Sequence, residues 1–142
     1  MSNILITGGA GYIASHTVIE LLSLNHEVVI VDNFSNSKPE VLKRIKEISG
    51  KKFKFYEVDI LDRERLEGVF ATNEIEAVIH FAGLKAVGES VEIPISYYHN
   101  NITGTLVLCE VMQKYDVKKM VFSSSATVYG MNNISPLTED LP

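Results

Sequence analysis

The chain has 142 residues, of which 46% are hydrophobic and 22% charged, which is typical of one ordinary globular domain with a proper core. Its net charge of −5 argues against a nucleic-acid or anionic-membrane partner, and no apolar run approaches the length of a membrane span. No leader precedes the first predicted strand, and the single cysteine, Cys109, excludes an intrachain disulfide framework. The sequence therefore predicts a cytoplasmic protein in which Cys109 is a buried structural thiol.

Short apolar β-type runs alternate with helix-type segments along the whole chain. The predicted strands cover residues 4–7, 28–32, 53–58, 77–81 and 120–123. The predicted helices cover residues 12–24, 39–49, 62–71 and 93–115, with Asp62 as an N-cap and Gly50 as a helix stop. This alternation predicts an α/β fold of the doubly wound Rossmann type, a parallel sheet with strand order 3-2-1-4-5 and helices on both faces.

A glycine-rich stretch, "TGGAGYIASH" at residues 7–16, joins the first strand to the first helix. Its spacing, Gly8-x-x-Gly11-x-x-Ala14, directs free backbone N–H groups and the positive end of a helix at one point, which suits a phosphate. No Gly-Lys-Ser/Thr follows, so a Walker A loop is excluded, whereas a tight turn without a ligand stays open as an alternative. Ala14 lies in the position used for close helix–strand packing, where glycine or alanine is accepted.

Polar or small residues follow all five predicted strands, at the edge where such sheets bind ligands. Asp32 ends the second strand, and an acid at this distance from the glycine loop accepts hydrogen bonds from an adenosine ribose. It would repel a 2′-phosphate and so favours NAD over NADP; its alternative role is to cap the next turn. Asp59, after the third strand, could flank the adenine or cap a turn.

The four histidines, at positions 16, 26, 80 and 99, lack the spacing of metal ligands, so the sequence predicts no metal site. His80 lies in an apolar strand. We expect it to be a hydrogen-bonded core side chain rather than a catalyst.

Four segments, "TGGAGYIAS", "VDNFSNS", "HFAGLKAVGES" and "FSSSATVYG", together resemble the UDP-glucose 4-epimerase family of extended short-chain dehydrogenases/reductases. The resemblance runs in register over essentially the whole chain. It implies a tightly bound NAD that takes a hydride from C4 of a UDP-sugar and returns it to the other face of the 4-keto intermediate. It also implies a role in galactose metabolism.

The resemblance implies a role for each matching position. The NAD pyrophosphate would contact Gly8, Gly11, Tyr12 and Ile13. The adenosine ribose region would contact Asp32, Asn33, Asn36 and Ser37. The adenine would contact Asp59 and Ile60. The nicotinamide half would lie against Phe81, Ala82, Gly83, Lys85, Asn100 and Ser123. Lys85 and Ser125 would contact the substrate, with Ser125 as the catalytic serine on the reacting sugar hydroxyl. The family usually has glycine at position 14, so Ala14 is a departure at the pyrophosphate end.

The family's general base is a tyrosine followed four residues later by a lysine. The spacing of Tyr115 and Lys119 matches, but the pair ends the fourth predicted helix and so lies at the amino edge of the sheet, away from the ligand. Tyr129 is followed at that distance by Asn133, and the chain ends at Pro142. The sequence thus resembles the amino-terminal part of the family, an incomplete NAD-binding domain over residues 1–142 without a substrate domain, and we expect it to be inactive alone.

Two functions of different classes remain open. The chain is the NAD-binding portion of a UDP-sugar 4-epimerase, or it is a non-catalytic module that senses NAD. A nucleotide-sugar dehydratase or another epimerase is a third possibility within the first class, although "GLKAVGES" favours the glucose/galactose enzymes. The family resemblance also implies a homodimer formed through helices within residues 93–115, and an uncovered fifth strand would favour self-association.

Overall fold

Five strands form one parallel sheet in the computed structural model, which describes residues 1–130 and 135–141. The predictions that concern Asn133 and Pro142 lie outside these residues. The strands are β1 Asn3–Thr7, β2 Glu27–Asp32, β3 Lys54–Glu57, β4 Ala77–His80 and β5 Met120–Phe122. Their order is β3-β2-β1-β4-β5, and every neighbouring pair is parallel. The predicted strand order and fold class are confirmed.

Helices connect successive strands. They are α1 Tyr12–Ser23, α2 Glu40–Ser49, α3 Arg63–Thr72, α4 Val87–Glu92, α5 Pro94–Tyr98 and α6 Gly104–Lys114. The cap predictions hold, because the Asp62 carboxylate accepts a hydrogen bond from the Arg65 amide and Gly50 ends α2 with a left-handed φ of 63°.

The predicted helix at 93–115 is confirmed within one residue at each end, as a helical stretch over residues 94–114, but two details differ. The structure divides it into α5, a π-helical segment over His99–Thr103, and α6, and it adds α4, which the sequence pattern did not indicate. A π-helical segment widens the helix by one residue and interrupts the 3.6-residue period, so apolar spacing does not reveal it.

Alternate residues of the strands build two cores, one on each face of the sheet. On β1, Leu5 faces the helices α3 and α6, whereas Ile4 and Ile6 face α1 and α2. Ala14 belongs to the second core and is 1% exposed. Its methyl group therefore fills the contact between α1 and the sheet rather than the space in front of the glycine loop.

Cys109 is exposed, and the prediction of a buried thiol is wrong. Its neighbours Val107, Leu108, Val111 and Met112 are the residues of α6 that face the core. A residue one position after Leu108 points about 100° away from it around the helix, which turns the thiol outward.

Within residues 1–130 and 135–141, no helix combines the length and apolarity needed to cross a membrane. The same described residues contain no group of three or more metal-ligating side chains placed to share an ion.

A candidate dinucleotide cleft at the carboxyl edge of the sheet

Two adjoining clefts open at the carboxyl ends of the strands, which is where sheets of this type bind ligands. The first lies over β1, β2 and β3 and brings together most of the predicted cofactor residues: Gly8, Gly11, Asp32, Asn33, Asn36, Ser37, Ile60, Phe81, Ala82, Gly83 and Asn100. Four further residues line it that the sequence did not single out: Val31, Ser35, Val58 and Leu84.

The second cleft, of about 560 Å³, lies over β4 and β5. It contains the predicted residues Lys85, Ser123 and Ser125. Residues 81–84 line both clefts, so the two form one groove running along the edge of the sheet.

Three predicted residues lie beside the groove rather than in its lining. Tyr12 and Ile13 form the exposed start of α1, next to the glycine loop. Asp59 holds the groove's wall, because its carboxylate accepts hydrogen bonds from the Asn33 side-chain amide at 2.8 Å and from the Leu61 N–H at 2.8 Å. Asp59 therefore caps a turn, and its part in adenine binding stays a prediction.

The glycine loop follows from the backbone geometry at Gly8. Its φ is +65°, and a Cβ there would lie 2.8 Å from the Ala82 amide nitrogen, closer than atoms can approach. Position 8 therefore accepts only glycine, which allows β1 to turn directly beside the loop that follows β4. A Cβ at Gly9 would likewise lie 2.6 Å from the Ile30 side chain.

The start of α1 presents unpaired backbone donors next to this turn. Gly11 is the N-cap and has no side chain to accept from them, and the first helical hydrogen bond runs from the Ser15 N–H to the Gly11 carbonyl at 2.9 Å. The N–H groups of Tyr12 and Ile13 precede that bond and have no acceptor within the helix. Together with the positive end of the helix dipole they suit a phosphate.

Asp32 is 8% exposed and joins the glycine loop to the loop after β2. One carboxylate oxygen, Oδ2, accepts from the Ala10 N–H at 3.0 Å. The other, Oδ1, accepts from the Phe34 N–H at 2.9 Å and from the Ser37 hydroxyl at 2.8 Å. The turn-capping role that the sequence left open is thus present, on a carboxylate that also lines the groove.

Asn101, in the π-helical segment, holds the loop after β4. Its side-chain oxygen accepts from the Leu84 N–H at 2.8 Å, while its side-chain amide donates to the Leu84 carbonyl at 3.0 Å. One side chain therefore binds both backbone polar groups of Leu84. Sequence reasoning missed Asn101.

His80 links three elements beneath the second cleft. It is 1% exposed, with Nδ1 2.6 Å from the Thr7 hydroxyl and Nε2 3.0 Å from the Thr105 hydroxyl. Burial lowers the pKa of His80 to about 4, because a charged imidazolium loses its hydration there. His80 is a hydrogen-bonded core residue, as predicted, and is neutral at pH 7.

The serines after β5 line the second cleft. The Ser123 N–H donates to the His80 carbonyl at 3.1 Å, continuing the sheet register beyond Phe122. The Ser125 hydroxyl oxygen accepts from the Thr127 hydroxyl at 2.9 Å and is exposed. Ser125 thus begins the short 3₁₀ turn Ala126–Tyr129, with its hydroxyl facing the cleft.

The predicted position of Tyr115 and Lys119 at the amino edge of the sheet is confirmed. Tyr115 caps the end of α6 and packs against Phe70, with ring centroids 5.7 Å apart. The Lys119 carbonyl accepts from the Val78 N–H just before β5 begins. Both residues therefore lie at the amino edge of the sheet, across the molecule from the groove.

The family model for the NAD dependent epimerase/dehydratase family matches residues 4–142. The UDP-glucose 4-epimerase of Bacillus subtilis is 68% identical over 98% of this chain and 41% of its own length, and that of Haemophilus influenzae is 64% identical over 96% and 40%. The chain thus spans about 40% of the length of these curated relatives.

Among solved structures, UDP-glucose 4-epimerase from Bifidobacterium longum in complex with NAD+ and UDP superposes with a TM-score of 0.95 at 56% identity, over 99% of this chain and 42% of the other. The Stenotrophomonas maltophila enzyme, with bound NAD and formylated UDP-arabinopyranose, superposes with a TM-score of 0.93 at 47% identity, over 99% and 42%. With this fold, this groove and these relatives, the chain belongs to the NAD dependent epimerase/dehydratase family.

Proposed function

We propose that this chain is the NAD-binding portion of a UDP-glucose 4-epimerase, which interconverts the configuration at C4 of a UDP-sugar. The observation that carries the proposal is the single groove that runs from the glycine loop to Ser125. Residues far apart in sequence meet there in the order in which an extended dinucleotide followed by a sugar would need them. We also propose a cytoplasmic location and a role in galactose metabolism, on the single cysteine and the family resemblance.

The adenosine end of the groove fits NAD. Gly8 lets the glycine loop turn beside the loop after β4, and the N–H groups at the start of α1 would bind the pyrophosphate. Asp32 would accept from the ribose hydroxyls, and its negative charge would repel the 2′-phosphate of NADP.

The nicotinamide end would lie along residues 81–85 and Asn100. NAD, when bound, supplies the hydride acceptor and donor for the sugar C4. Ser125 would hydrogen-bond the hydroxyl on that carbon, and Lys85 would contact the substrate from the other side of the second cleft. His80 stays neutral between its two threonine partners and holds the floor of the cleft in place.

Among the described residues that line the groove, the one tyrosine does not suit the role of general base for the sugar hydroxyl. Tyr97 lines the second cleft, but its hydroxyl donates to the Glu89 carboxylate at 2.6 Å, and this contact raises the pKa of Tyr97. A base needs a lowered pKa. This observation keeps the second candidate, a non-catalytic NAD-responsive module, open for the 142 residues taken alone.

We expect NAD to raise the melting temperature of the chain by several degrees at saturating concentration, and NADP to raise it much less. Asp32→Asn is expected to weaken NAD binding tenfold or more, because charged hydrogen bonds to the ribose are lost. Asp116→Asn, which makes the same change of charge at the opposite edge of the sheet, serves as the control.

Incubation of the chain with UDP-galactose should give no UDP-glucose. An unchanged melting temperature at millimolar NAD would contradict NAD binding. Turnover near that of a full-length relative would contradict the proposal that this chain is only the cofactor-binding portion.

A stripe of exposed apolar side chains runs along α4, α5, the π-helical segment and α6. Its members are Val91, Ile95, Tyr98, Ile102 and Leu106, and each is at least 54% exposed. Ile95 and Tyr98 are three residues apart on α5, a spacing that puts both on one side of that helix. We propose that a second copy of the chain covers this stripe, forming the homodimer that the family resemblance implies.

Leu106→Glu is expected to convert that dimer to a monomer, because a carboxylate buried at the interface has no partner. Sedimentation equilibrium measures the change as a halving of the mass. Leu24→Glu, which changes another exposed leucine at the C-cap of α1, is the control and should stay dimeric. A wild-type monomer, or a dimer that survives Leu106→Glu, rules out the stripe as the interface.

A further inference from the structure

The hydrogen bonds at Asp32 leave little room for a ligand. A carboxylate offers about four lone-pair sites, two on each oxygen. Among the described residues, the Phe34 N–H and the Ser37 hydroxyl fill both sites of Oδ1, while the Ala10 N–H fills one site of Oδ2. One acceptor site, on Oδ2, remains.

The vicinal hydroxyls of a ribose bring two donors to such a carboxylate. Three protein donors and two ribose donors exceed the four sites by one, so a bidentate ribose must displace a protein donor. The proposed NAD function, on which this step rests, places that ribose at Asp32. A ligand with one hydroxyl, by contrast, needs only the free site on Oδ2.

Ser37 is the donor that can leave at least cost. The donors of Ala10 and Phe34 are backbone groups, held by the glycine loop and by the turn after β2. The Ser37 hydroxyl is a rotatable group on a partly exposed residue that lines the groove. It can turn away from Asp32 and bond to water without moving the backbone.

We propose that the Ser37 hydroxyl competes with a ribose diol for the Asp32 carboxylate and is released when the diol binds. Ser37 is therefore a specificity-determining residue. In the ligand-free chain it satisfies the carboxylate, and it lowers the affinity for ligands that bring two vicinal hydroxyls relative to ligands that bring one.

The test compares the binding of ADP and 2′-deoxy-ADP to the 142-residue chain by isothermal titration calorimetry. Ser37→Ala removes the competitor and is expected to bind ADP about fivefold more tightly, as the loss of one hydroxyl–carboxylate bond implies, with 2′-deoxy-ADP changed less than about twofold. Ser37→Thr keeps the hydroxyl and should match the wild type. Ser23→Ala, which removes a hydroxyl at the end of α1 that donates to the Glu20 carbonyl outside the groove, should leave both affinities within about twofold.

Unchanged or weaker ADP binding by Ser37→Ala would overturn the proposal, as would an equal gain for both nucleotides. In either case NAD binding by the wild type would leave the proposed function standing. A wild-type chain that binds neither ADP nor NAD would overturn both.

Discussion

Gly8→Ala is expected to lower the free energy of unfolding by about 3 kcal/mol and to abolish NAD binding. Two separate costs add at this position. The φ of +65° strains any residue with a Cβ, and the new methyl group would lie 2.8 Å from the Ala82 amide nitrogen, where only backbone movement can relieve the contact. That movement would displace the loop shared by both clefts.

Gly50→Ala separates the two costs. Gly50 also has a left-handed φ, +63°, but within the described part of the chain nothing lies within 4 Å of the position of its Cβ. We expect Gly50→Ala to cost about 1 kcal/mol, from the backbone conformation alone. Urea unfolding of both variants measures the difference. Equal losses would show that the contact between Gly8 and Ala82 contributes nothing.

Stability is expected to fall by about 3 kcal/mol between pH 7 and pH 4 through His80 alone. Burial holds the pKa of His80 near 4 in the folded chain, whereas an unfolded histidine titrates near 6.5. Above pH 6.5 the residue is neutral in both states, and its contribution is complete. As the pH falls from 6.5 towards 4, the unfolded chain binds a proton that the folded chain does not, so the folded state loses stability over that window.

Urea unfolding at pH 7, 6, 5 and 4 measures this loss, and His80→Asn should flatten the profile over that range. His16→Asn, which changes an exposed histidine on α1, serves as the control. Because His80→Asn also disturbs the contacts with Thr7 and Thr105, an NMR titration of the wild-type imidazole provides a second measurement. A ring that titrates near pH 6.5 would rule out the effect.

The order of the elements and the edge of the sheet that carries the groove follow from the pattern of residues along the chain. Continuous apolar runs mark strands that are covered on both faces, and the right-handed connections between them limit the strand order to very few choices. The prediction for β2, residues 28–32, differs from the observed Glu27–Asp32 by one residue. Gly8 was also readable, because only a tight turn or a close approach keeps so many glycines together.

The contacts that hold the groove in place could not be predicted from the pattern of residues, because they form between elements once the chain has folded. Three sets of hydrogen bonds join residues up to 73 positions apart. They are the two bonds between Asn101 and Leu84, the bonds of His80 to Thr7 and Thr105, and the three donors on Asp32. Hydrophobic periodicity reports which face of an element is buried. It does not report which polar groups meet once the elements pack, because each such bond depends on the positions of two side chains brought together by the whole fold.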